Sequence, residues 1–434
     1  DWRIPYCTAS PILYNLLQIP HLHDHQDGQW EHAYQIHKPE SWVEIKRRFF
    51  NDFSTMVNDV DLVLCGHPLY WCSLFETFVS PLMHKAMIAV YDQPPFFLVP
   101  SEAEESFAET LRSWALPDIG NVVIVGFAPF FARQFEWLLG SRIPHSRPIA
   151  LIVKDAWQPL ISDSVLLATS IDHIAIGLIL RFAELNAHML FAPEGHSLRF
   201  VRWNEDLGYE TSKAVLAQHR CVVLLPYDFA HFKLPEFVAM GMPIFMHAQL
   251  WKWTVRWSQL IARPGGRNAT RLRPAPQACY GDAQPDFGLA LPALPSSFWA
   301  TPWTPSRNRS NRGEVCMEEL LLVAEESNGP FGWAPLSPFT ADRRHLQPLD
   351  SAVFWSRWSE MALVPHTRYF ESISDLLLQL HVTDLKALQE VSKLQRLWQR
   401  RTAFQVIDFW RGLIAALLDG DASHFKGQPM NAAA

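Results

Sequence analysis

The chain has 434 residues, of which 49% are hydrophobic and 19% are charged. This composition excludes a disordered chain. The length corresponds to about two or three domains with sizeable hydrophobic cores, and it excludes a small fold held together by disulfides or a metal ion. The formal net charge of −7, from 37 basic and 44 acidic residues, argues against a nucleic-acid binder. No apolar run approaches the roughly 18 residues of a membrane span, so we expect a soluble chain.

Short apolar runs alternate with amphipathic stretches through most of the chain, which is the pattern of β-α-β units on a parallel sheet. The first half predicts strands at residues 61–65, 87–91, 121–125 and 148–153, and helices at 71–79, 101–115 and 130–139. The second half predicts strands at 164–168, 188–191, 221–225 and 243–246, and helices at 172–185, 210–219 and 235–240. We therefore expect an α/β protein with two Rossmann-like β/α/β domains.

A proline-rich stretch and a helical region complete the chain. Residues 264–310 contain eight Pro and show no clear periodicity, so we expect a long loop or insertion, with the bounds 264–346. Helices are predicted at 374–380 and 384–418, the second ending at Gly420. The predicted domains are residues 1–160, residues 161–400 with the insertion, and a C-terminal helical segment at 401–434.

Cysteines and sequons bear on the compartment. Cys221 lies in an apolar strand and is expected to be a buried thiol, whereas Cys279 and Cys316 bracket a sequon and form the expected disulfide. Two N-glycosylation sequons in the proline-rich stretch favour the lumen of the secretory pathway, with the cytoplasm as the alternative. The start at Asp1, without an initiator Met, leaves room for a signal peptide or membrane anchor ahead of it.

Most of the recognisable chemistry lies in residues 224–245. A buried strand leads into a loop with Asp228 and Lys233, and Pro235 then opens a helix whose first turn carries Glu236. In an open α/β sheet, ligands bind beyond the carboxyl ends of the strands, where this loop is expected to lie. A carboxylate there can accept hydrogen bonds from two ribose hydroxyls, and backbone amides suit a phosphate.

This stretch resembles the donor-binding half of glycosyltransferases with the GT-B fold. Seven residues separate Asp228 from Glu236, and Ala239, Gly241 and Pro243 follow, which is similar to the acid-x7-Glu signature of that family with its trailing Ala-x-Gly-x-Pro. The order of elements is similar too, because a long C-terminal helix in that family crosses back onto the first domain. The resemblance implies two Rossmann-like domains that face a cleft and bind a UDP- or GDP-sugar.

The resemblance also implies roles for individual residues. Glu236 is expected to hold the ribose of the nucleotide sugar. Asp228 takes the place of the first acid, which contacts the transferred sugar in retaining enzymes of the family. Because this position is Asp where the family has Glu, both the sugar contact and the stereochemistry stay open. Pro226, Tyr227 and Gly241 complete the expected donor-binding residues.

Transfer of a sugar requires two further groups. The first is a cation beside the leaving diphosphate, because we expect a site that works without a metal. Lys233 is the nearest candidate, with Lys154 and Arg199 as others, and a solvated loop charge is an equal interpretation of Lys233. The second is a general base for an inverting mechanism. His67 and Asp92 follow predicted strands of the first half, and a turn residue explains each of them equally well.

The sequence supports two classes of function. The first is a hexosyl- or pentosyltransferase that moves a sugar from a nucleotide sugar to a glycan, protein or other acceptor. The second is a non-catalytic carbohydrate-binding or scaffold protein with the same fold. The run of His21, His23 and His25 matches no metal-site spacing, so we expect no metal. Apolar sugar faces stack on aromatic rings, so acceptor contacts are expected at Trp299 and Trp303.

Overall fold

The computed structural model describes residues 39–66, 69–92, 99, 104–116, 119–139, 142–169, 184, 198–208, 211–225, 229, 233–250 and 349–426. Within these residues the chain is a mixed α/β protein with two parallel sheets and a C-terminal helical region. Several predicted features lie outside the described residues: most of the helix at 172–185, the strand at 188–191, the insertion at 264–346, the Cys279–Cys316 pair, and the histidine and tryptophan clusters.

The first sheet contains three parallel strands in the order β1-β2-β3. Their bounds agree closely with the prediction, and are β1 (Leu62–Cys65), β2 (Ala86–Tyr91) and β3 (Val122–Gly126). One helix precedes the sheet and two follow its second and third strands: α1 (Pro39–Asn58), α2 (Glu104–Ala115) and α3 (Pro129–Leu139).

Both faces of the first sheet are covered. Successive side chains of a strand point to opposite faces, so Met87 and Ala89 of β2 join one core and Ala86 and Ile88 join another. The first core packs against α1, α2 and α3, and the second packs against the C-terminal helical region. Burial on both sides explains why β2 and β3 are continuous apolar runs rather than alternating ones.

The second sheet contains five parallel strands in the order β5-β4-β6-β7-β8. The strands are β4 (Ile161–Thr169), β5 (Arg199–Arg202), β6 (His219–Leu225), β7 (Ile244–His247) and β8 (Arg368–Phe370). Because β5 lies on one side of β4 and the later strands lie on the other, the strand order reverses between β4 and β6. The crevice beyond the carboxyl ends of these two strands is the position that such sheets use for ligands.

Further short helices lie in the second half of the chain. They are α4 (Lys213–Leu216), α5 (Leu234–Met240), α6 (Leu349–Ser356), α7 (Glu360–Leu363) and α8 (Ile373–Val382). One of them, α6, contributes Trp355 to the core of the first sheet. The predicted helices at 235–240 and 374–380 are confirmed as α5 and α8. The second sheet's core includes Val222 and Leu224 of β6 and Phe237 of α5, all fully buried.

The C-terminal helix α9 (Leu385–Leu418) contains 34 residues, which corresponds to a length of roughly 50 Å. The Asp384 side chain caps it by accepting a hydrogen bond from the Ala387 N–H at 2.7 Å. Leu388 belongs to the core of the second sheet, whereas Leu413 and Leu417 belong to the core on the second face of the first sheet. One helix therefore packs against both sheets, and the predicted helix at 384–418 is confirmed.

Three predictions in the connecting regions are wrong. The predicted strand at 148–153 is irregular, and Ile152 is 84% exposed, because the apolar run faces solvent instead of a sheet. The predicted helix at 71–79 is a 3₁₀ helix, Leu69–Phe75, followed by turns. The predicted helix at 210–219 is reduced to α4, because His219 and Arg220 pair with the neighbouring strand and lengthen β6.

A disulfide joins Cys65, the last residue of β1, to Cys72 in the 3₁₀ helix, with 5.6 Å between their Cα atoms. The sequence did not indicate this pair, because its spacing matches no familiar motif. Cys221 is a free buried thiol, as predicted, and burial raises its pKa to about 12. The bond ties the carboxyl end of the edge strand β1 to the segment that follows it.

Lys426, the last described residue, contacts the C-terminal end of α2, which packs on the first sheet. Its ammonium group is buried and donates hydrogen bonds to the carbonyl oxygens of Trp114, Leu116 and Ile119. These carbonyls lie at and just beyond the C-terminal end of α2, where a helix leaves carbonyl groups without partners of its own. The side chain therefore supplies donors that α2 lacks.

Gly241 marks the closest approach between α5 and α9. It ends α5 in the left-handed conformation, with φ +70°, and its N–H donates to the Val238 carbonyl at 2.9 Å. A Cβ atom at this position would lie 2.5 Å from Cγ of Arg396 and 3.0 Å from Oγ of Ser392. Both residues belong to α9, so the absence of a side chain at position 241 lets the long helix pack here.

Gly241→Ala is expected to lower the free energy of unfolding by more than about 2 kcal/mol, because the left-handed backbone alone costs about 1–2 kcal/mol and overlap with Arg396 is added to it. Gly420→Ala is the matched control, since Gly420 has φ +76° but no atom within 4 Å of an added Cβ. Urea unfolding of both variants measures the difference. Equal losses would show that the contact with α9 contributes nothing.

Candidate functional site

The predicted donor-binding acid lies beyond the carboxyl end of β6, on the first turn of α5. Glu236 is partly buried, with 18% of its side chain exposed, and two lysines contact its carboxylate. The Lys233 ammonium group is 3.2 Å from Oε2 of Glu236, and the Lys213 ammonium group of α4 contacts the same oxygen. The sequence predicted Lys233 near Glu236 but gave no sign of Lys213.

The charges of this trio do not cancel. One carboxylate faces two ammonium groups, so the cluster formed by Lys213, Lys233 and Glu236 carries a net charge of about +1. Lys233 also lies over the ring of Trp203, with its nitrogen 4.9 Å from the ring centroid. Trp203 is buried and packs edge-on against Phe237 of α5, which holds the ring in place.

The carboxyl edges of the two sheets meet. Phe130, at the start of α3 beyond β3, packs edge-on against Phe229 in the loop beyond β6, with ring centroids 5.4 Å apart. Trp355 of α6 packs edge-on against Phe130 as well, at 6.1 Å. The Ser359 hydroxyl donates a hydrogen bond to the Phe229 carbonyl at 2.5 Å, which ties the start of α7 to the same loop. We use the name cleft for this contact region, in which the rings of Phe130, Phe229 and Trp355 are all fully buried.

Asp92 follows β2, the central strand of the first sheet, at its carboxyl end. Burial raises the pKa of its carboxyl group from 3.8 to about 6. The preceding Tyr91 is fully buried and donates its hydroxyl to Oε1 of Gln134 at 2.7 Å, which fixes the end of the strand. A carboxylate with a pKa near neutral at a strand end has the properties of a general base.

A second charged group occupies the cleft and was not predicted. Glu360, in the first turn of α7, is buried with 6% of its side chain exposed, and burial raises its pKa from 4.5 to about 7. Nε of Arg147 is 3.9 Å from Oε1 of Glu360, and this oxygen has no hydrogen-bond partner among the described residues. His145 lies close to Arg147, and its pKa falls to about 4, mainly through burial.

The predicted site residues are only partly brought together. Lys233 and Glu236 are in contact, while Asp92 belongs to the edge of the other sheet. Gly241 lies at the far end of α5 from Glu236, where it packs beneath α9, so a role in donor binding stays a prediction. Of the other candidate cations, Lys154 is exposed and Arg199 begins β5, at the amino end of that strand. The remaining predicted residues lie outside the described residues: Pro226, Tyr227, Asp228 and His67.

Two absences concern the described residues alone. Among them, no group of three or more His, Cys, Asp or Glu side chains is placed to hold a metal ion. No helix in the described part of the chain is both long enough and apolar enough to cross a membrane.

Sequence reasoning missed Glu360 and Arg147 for identifiable reasons. The pair Ser359-Glu360 does indicate the start of a helix, and the Ser359 side chain caps α7 as such a pair predicts. Nothing in that pattern indicates that the acid is buried. Arg147 directly precedes the stretch predicted as a strand, so its position at the edge of the first sheet followed only from the structure.

Glu360 is expected to make stability depend on pH. Because its pKa is raised from 4.5 to about 7, the folded chain binds this proton more tightly than the unfolded chain does. Its contribution is complete below the unfolded value and is lost as the pH rises through the folded one. Since one pKa unit corresponds to about 1.4 kcal/mol, the loss amounts to about 3 kcal/mol.

Urea unfolding at about pH 5 and pH 8 measures this contribution. Glu360→Gln should lose less stability across that range than the wild-type chain does, because an amide does not titrate in it. Glu390→Gln is the matched control, since the Glu390 side chain is 60% exposed on α9 and pairs with Lys393. The assignment fails if Glu360→Gln and the wild type show the same pH dependence.

The chain matches no protein-family model, no curated protein and no solved structure. Its own residues therefore carry any argument about function. The features that bear on it are a carboxylate with two ammonium partners at the strand-order reversal of the second sheet, and two acids, Asp92 and Glu360, whose pKa values are raised by burial.

Proposed function

We propose that the chain is a glycosyltransferase that moves a hexose or pentose from a UDP- or GDP-sugar to a hydroxyl group of a glycan, protein or other acceptor. The observation that carries this proposal is the contact of Glu236 with Lys213 and Lys233 beyond the carboxyl end of β6. A ribose needs acceptors for its hydroxyls and a diphosphate needs cations. This trio offers both in one place.

The arrangement of the sheets supports a GT-B interpretation. Two parallel sheets meet at their carboxyl edges, and α9 runs from the core of the second sheet to that of the first. We propose that residues 1–160 form the acceptor-side domain and residues 161–400 the donor-binding domain, with the segment at 401–434 returning to the first. The donor lies at the reversal of strand order between β4 and β6.

Each group has a defined part in the proposed transfer. The acceptor oxygen attacks the anomeric carbon of the donor sugar, and the bond from that carbon to the diphosphate oxygen breaks. Lys213 and Lys233 offset the negative charge that develops on the leaving diphosphate, so the site works without a metal. Glu236 accepts hydrogen bonds from the ribose. In an inverting route, Asp92 takes the proton of the acceptor hydroxyl.

The disulfide supports a location in the lumen of the secretory pathway. Bonds such as Cys65–Cys72 form and persist in oxidising compartments and are rare in the cytosol. Glycan and protein acceptors are present in that lumen. We propose the nucleotide sugar as the co-substrate and no resident cofactor.

One observation favours a second candidate, a non-catalytic carbohydrate-binding or scaffold protein. Glu236 already has two ammonium partners, so the trio can serve to hold α4 and α5 together without binding a nucleotide. The two candidates differ in one measurement. Hydrolysis or transfer of the sugar from any nucleotide sugar supports the enzyme and excludes the non-catalytic protein.

UDP or GDP is expected to raise the melting temperature of the wild-type chain by several degrees, because a ligand that binds only the folded state stabilises it by about 2.7 kcal/mol at 100 times its Kd. Glu236→Gln should abolish this shift, since a neutral amide is a weaker acceptor for the ribose hydroxyls. Glu390→Gln should keep it. No shift with any common nucleotide would count against the proposal.

Asp92→Asn is expected to lower the rate of sugar transfer by roughly 10²–10³-fold, the usual contribution of a general base. In the wild-type chain kcat/KM should fall below about pH 6, because the pKa of Asp92 is raised to about 6 and only the ionised form accepts a proton. Asp61→Asn is the control, as Asp61 is exposed just before β1. An unchanged acid limb in Asp92→Asn would assign the proton to another group.

A further inference from the structure

The segment after α3 extends the first sheet at its carboxyl edge. Gly126, the last residue of β3, donates its N–H to the Pro144 carbonyl and accepts from the Ser146 N–H, both at 2.9 Å. His145 thereby pairs with Gly126 in parallel, and Arg147 follows at the same edge as the strand ends. Glu360 reaches this edge from α7, so residues distant in sequence face each other across the cleft.

We call the group of Arg133, His145, Arg147 and Glu360 the cleft cluster. Two aromatic rings hold its guanidinium groups. Arg133 lies over the ring of Trp358 at 4.8 Å, and Arg147 lies over the ring of Trp398 of α9 at 5.6 Å. Stacking on Trp398 occupies the flat face of the Arg147 guanidinium group and leaves its N–H edge in the plane to donate. Such an edge matches the oxygen atoms of a phosphate.

Among the described residues, the ion pairs in and next to the cleft cluster involve three arginines and two acids. Glu136 of α3 already accepts hydrogen bonds from Arg133 at 2.7 Å and Arg142 at 2.8 Å. Arg147 has Glu360 as its acidic neighbour, but the 3.9 Å between Nε and Oε1 is too long for a hydrogen bond. The charge of Glu360 is incomplete at neutral pH, because its pKa is raised to about 7.

His145 adds a donor without adding a charge. Burial and the neighbouring Arg147 and Arg133 lower its pKa to about 4, so the imidazole is neutral at physiological pH. A neutral imidazole carries one N–H that can donate to an oxygen atom. The Arg147 side chain is 22% exposed, so solvent reaches the cluster on the arginine side, whereas the Glu360 carboxyl lies beneath it.

We propose that the cleft cluster binds a phosphate-class dianion through Arg147, with Arg133 and the His145 imidazole beside it, and that binding is coupled to the uptake of one proton by Glu360. A dianion near Arg147 repels an ionised Glu360 carboxylate across the same guanidinium group. Protonation of Glu360 removes this repulsion, so the positive charge of Arg147 then interacts with the ligand alone. The oxygen of Glu360 that has no hydrogen-bond partner is where the proton can reside.

This site is separate from the one formed by Glu236 and the two lysines, and it does not depend on the proposed function. A phosphate group could come from the diphosphate of a donor or from a phosphate ester on another ligand. The chemistry of recognition is the same for both sources. A nucleotide competes with the probe more strongly than inorganic phosphate does in the first case alone.

Sulfate is the probe, because it keeps two negative charges throughout the pH range used, whereas phosphate titrates within it. Its affinity for the wild-type chain is measured by calorimetry at about pH 6 and pH 8, with chloride holding the ionic strength constant. The affinity should fall about tenfold over this range, which is the change in the protonated fraction of a group with a pKa of about 7. His145 stays neutral throughout.

Three variants separate the parts of the proposal. Arg147→Met should weaken sulfate binding at least tenfold at pH 6. Arg142→Met, which removes a guanidinium group that is 55% exposed on the same segment, should change it less than twofold. Glu360→Gln should bind sulfate with equal affinity at both pH values, and this result also isolates Glu360 from Asp92, which titrates near pH 6. Arg147→Lys keeps the charge and serves if Arg147→Met does not fold.

Equal affinity in Arg147→Met and Arg142→Met would overturn the site, and a pH dependence that persists in Glu360→Gln would overturn the coupling. Displacement of sulfate by UDP at a lower concentration than by inorganic phosphate identifies a nucleotide as the source of the phosphate, and equal displacement by the two identifies another phosphate ester. A chain that binds sulfate at Arg147 but shows no nucleotide shift through Glu236 would refute the proposed function and keep this site.

Discussion

The packing of one helix against two sheets is the constraint on which the rest of the structure depends. Helix α9 contributes Leu388 to the core of the second sheet and Leu413 and Leu417 to that of the first. Because a helix of about 50 Å is a stiff element, this packing sets the separation of the sheets. It also requires a residue without a side chain where α5 passes beneath it, and Gly241 meets that requirement.

The two charged clusters share one physical arrangement. In the first, the Glu236 carboxylate contacts Lys213 and Lys233. Next to the second, the Glu136 carboxylate pairs with both Arg133 and Arg142. Parallel sheets place all strand ends on one edge, so loops and helix starts with such side chains converge there. The chain has a net charge of −7, yet these clusters carry an excess of cations, which gives local fields opposite to the overall charge.

Buried strands could be predicted from the sequence because four or more successive apolar residues leave few alternatives, and β2, β3 and β6 follow this rule. Strands β5 and β8 could not, since Arg199 and Arg368 interrupt their apolar pattern. Glu236 and Lys233 are neighbours on one helix turn, so their contact followed from spacing. Tertiary packing sets the positions of Lys213, Arg147 and Glu360, and local sequence patterns do not predict such contacts between distant segments. The same limit explains the unexpected Cys65–Cys72 bond.

Lys426, at the end of the described chain, forms hydrogen bonds with the C-terminal end of α2 and the segment that follows it in the first half. The carbonyls of residues 114, 116 and 119 obtain their donors from a side chain roughly three hundred residues later, and the second face of the first sheet is covered by the last turns of α9. During synthesis the three strands of this sheet leave the ribosome long before either partner exists. The second apolar face of the first sheet therefore stays uncovered during synthesis until the C-terminal segment has been made, and until then it is a surface at which the chain can aggregate.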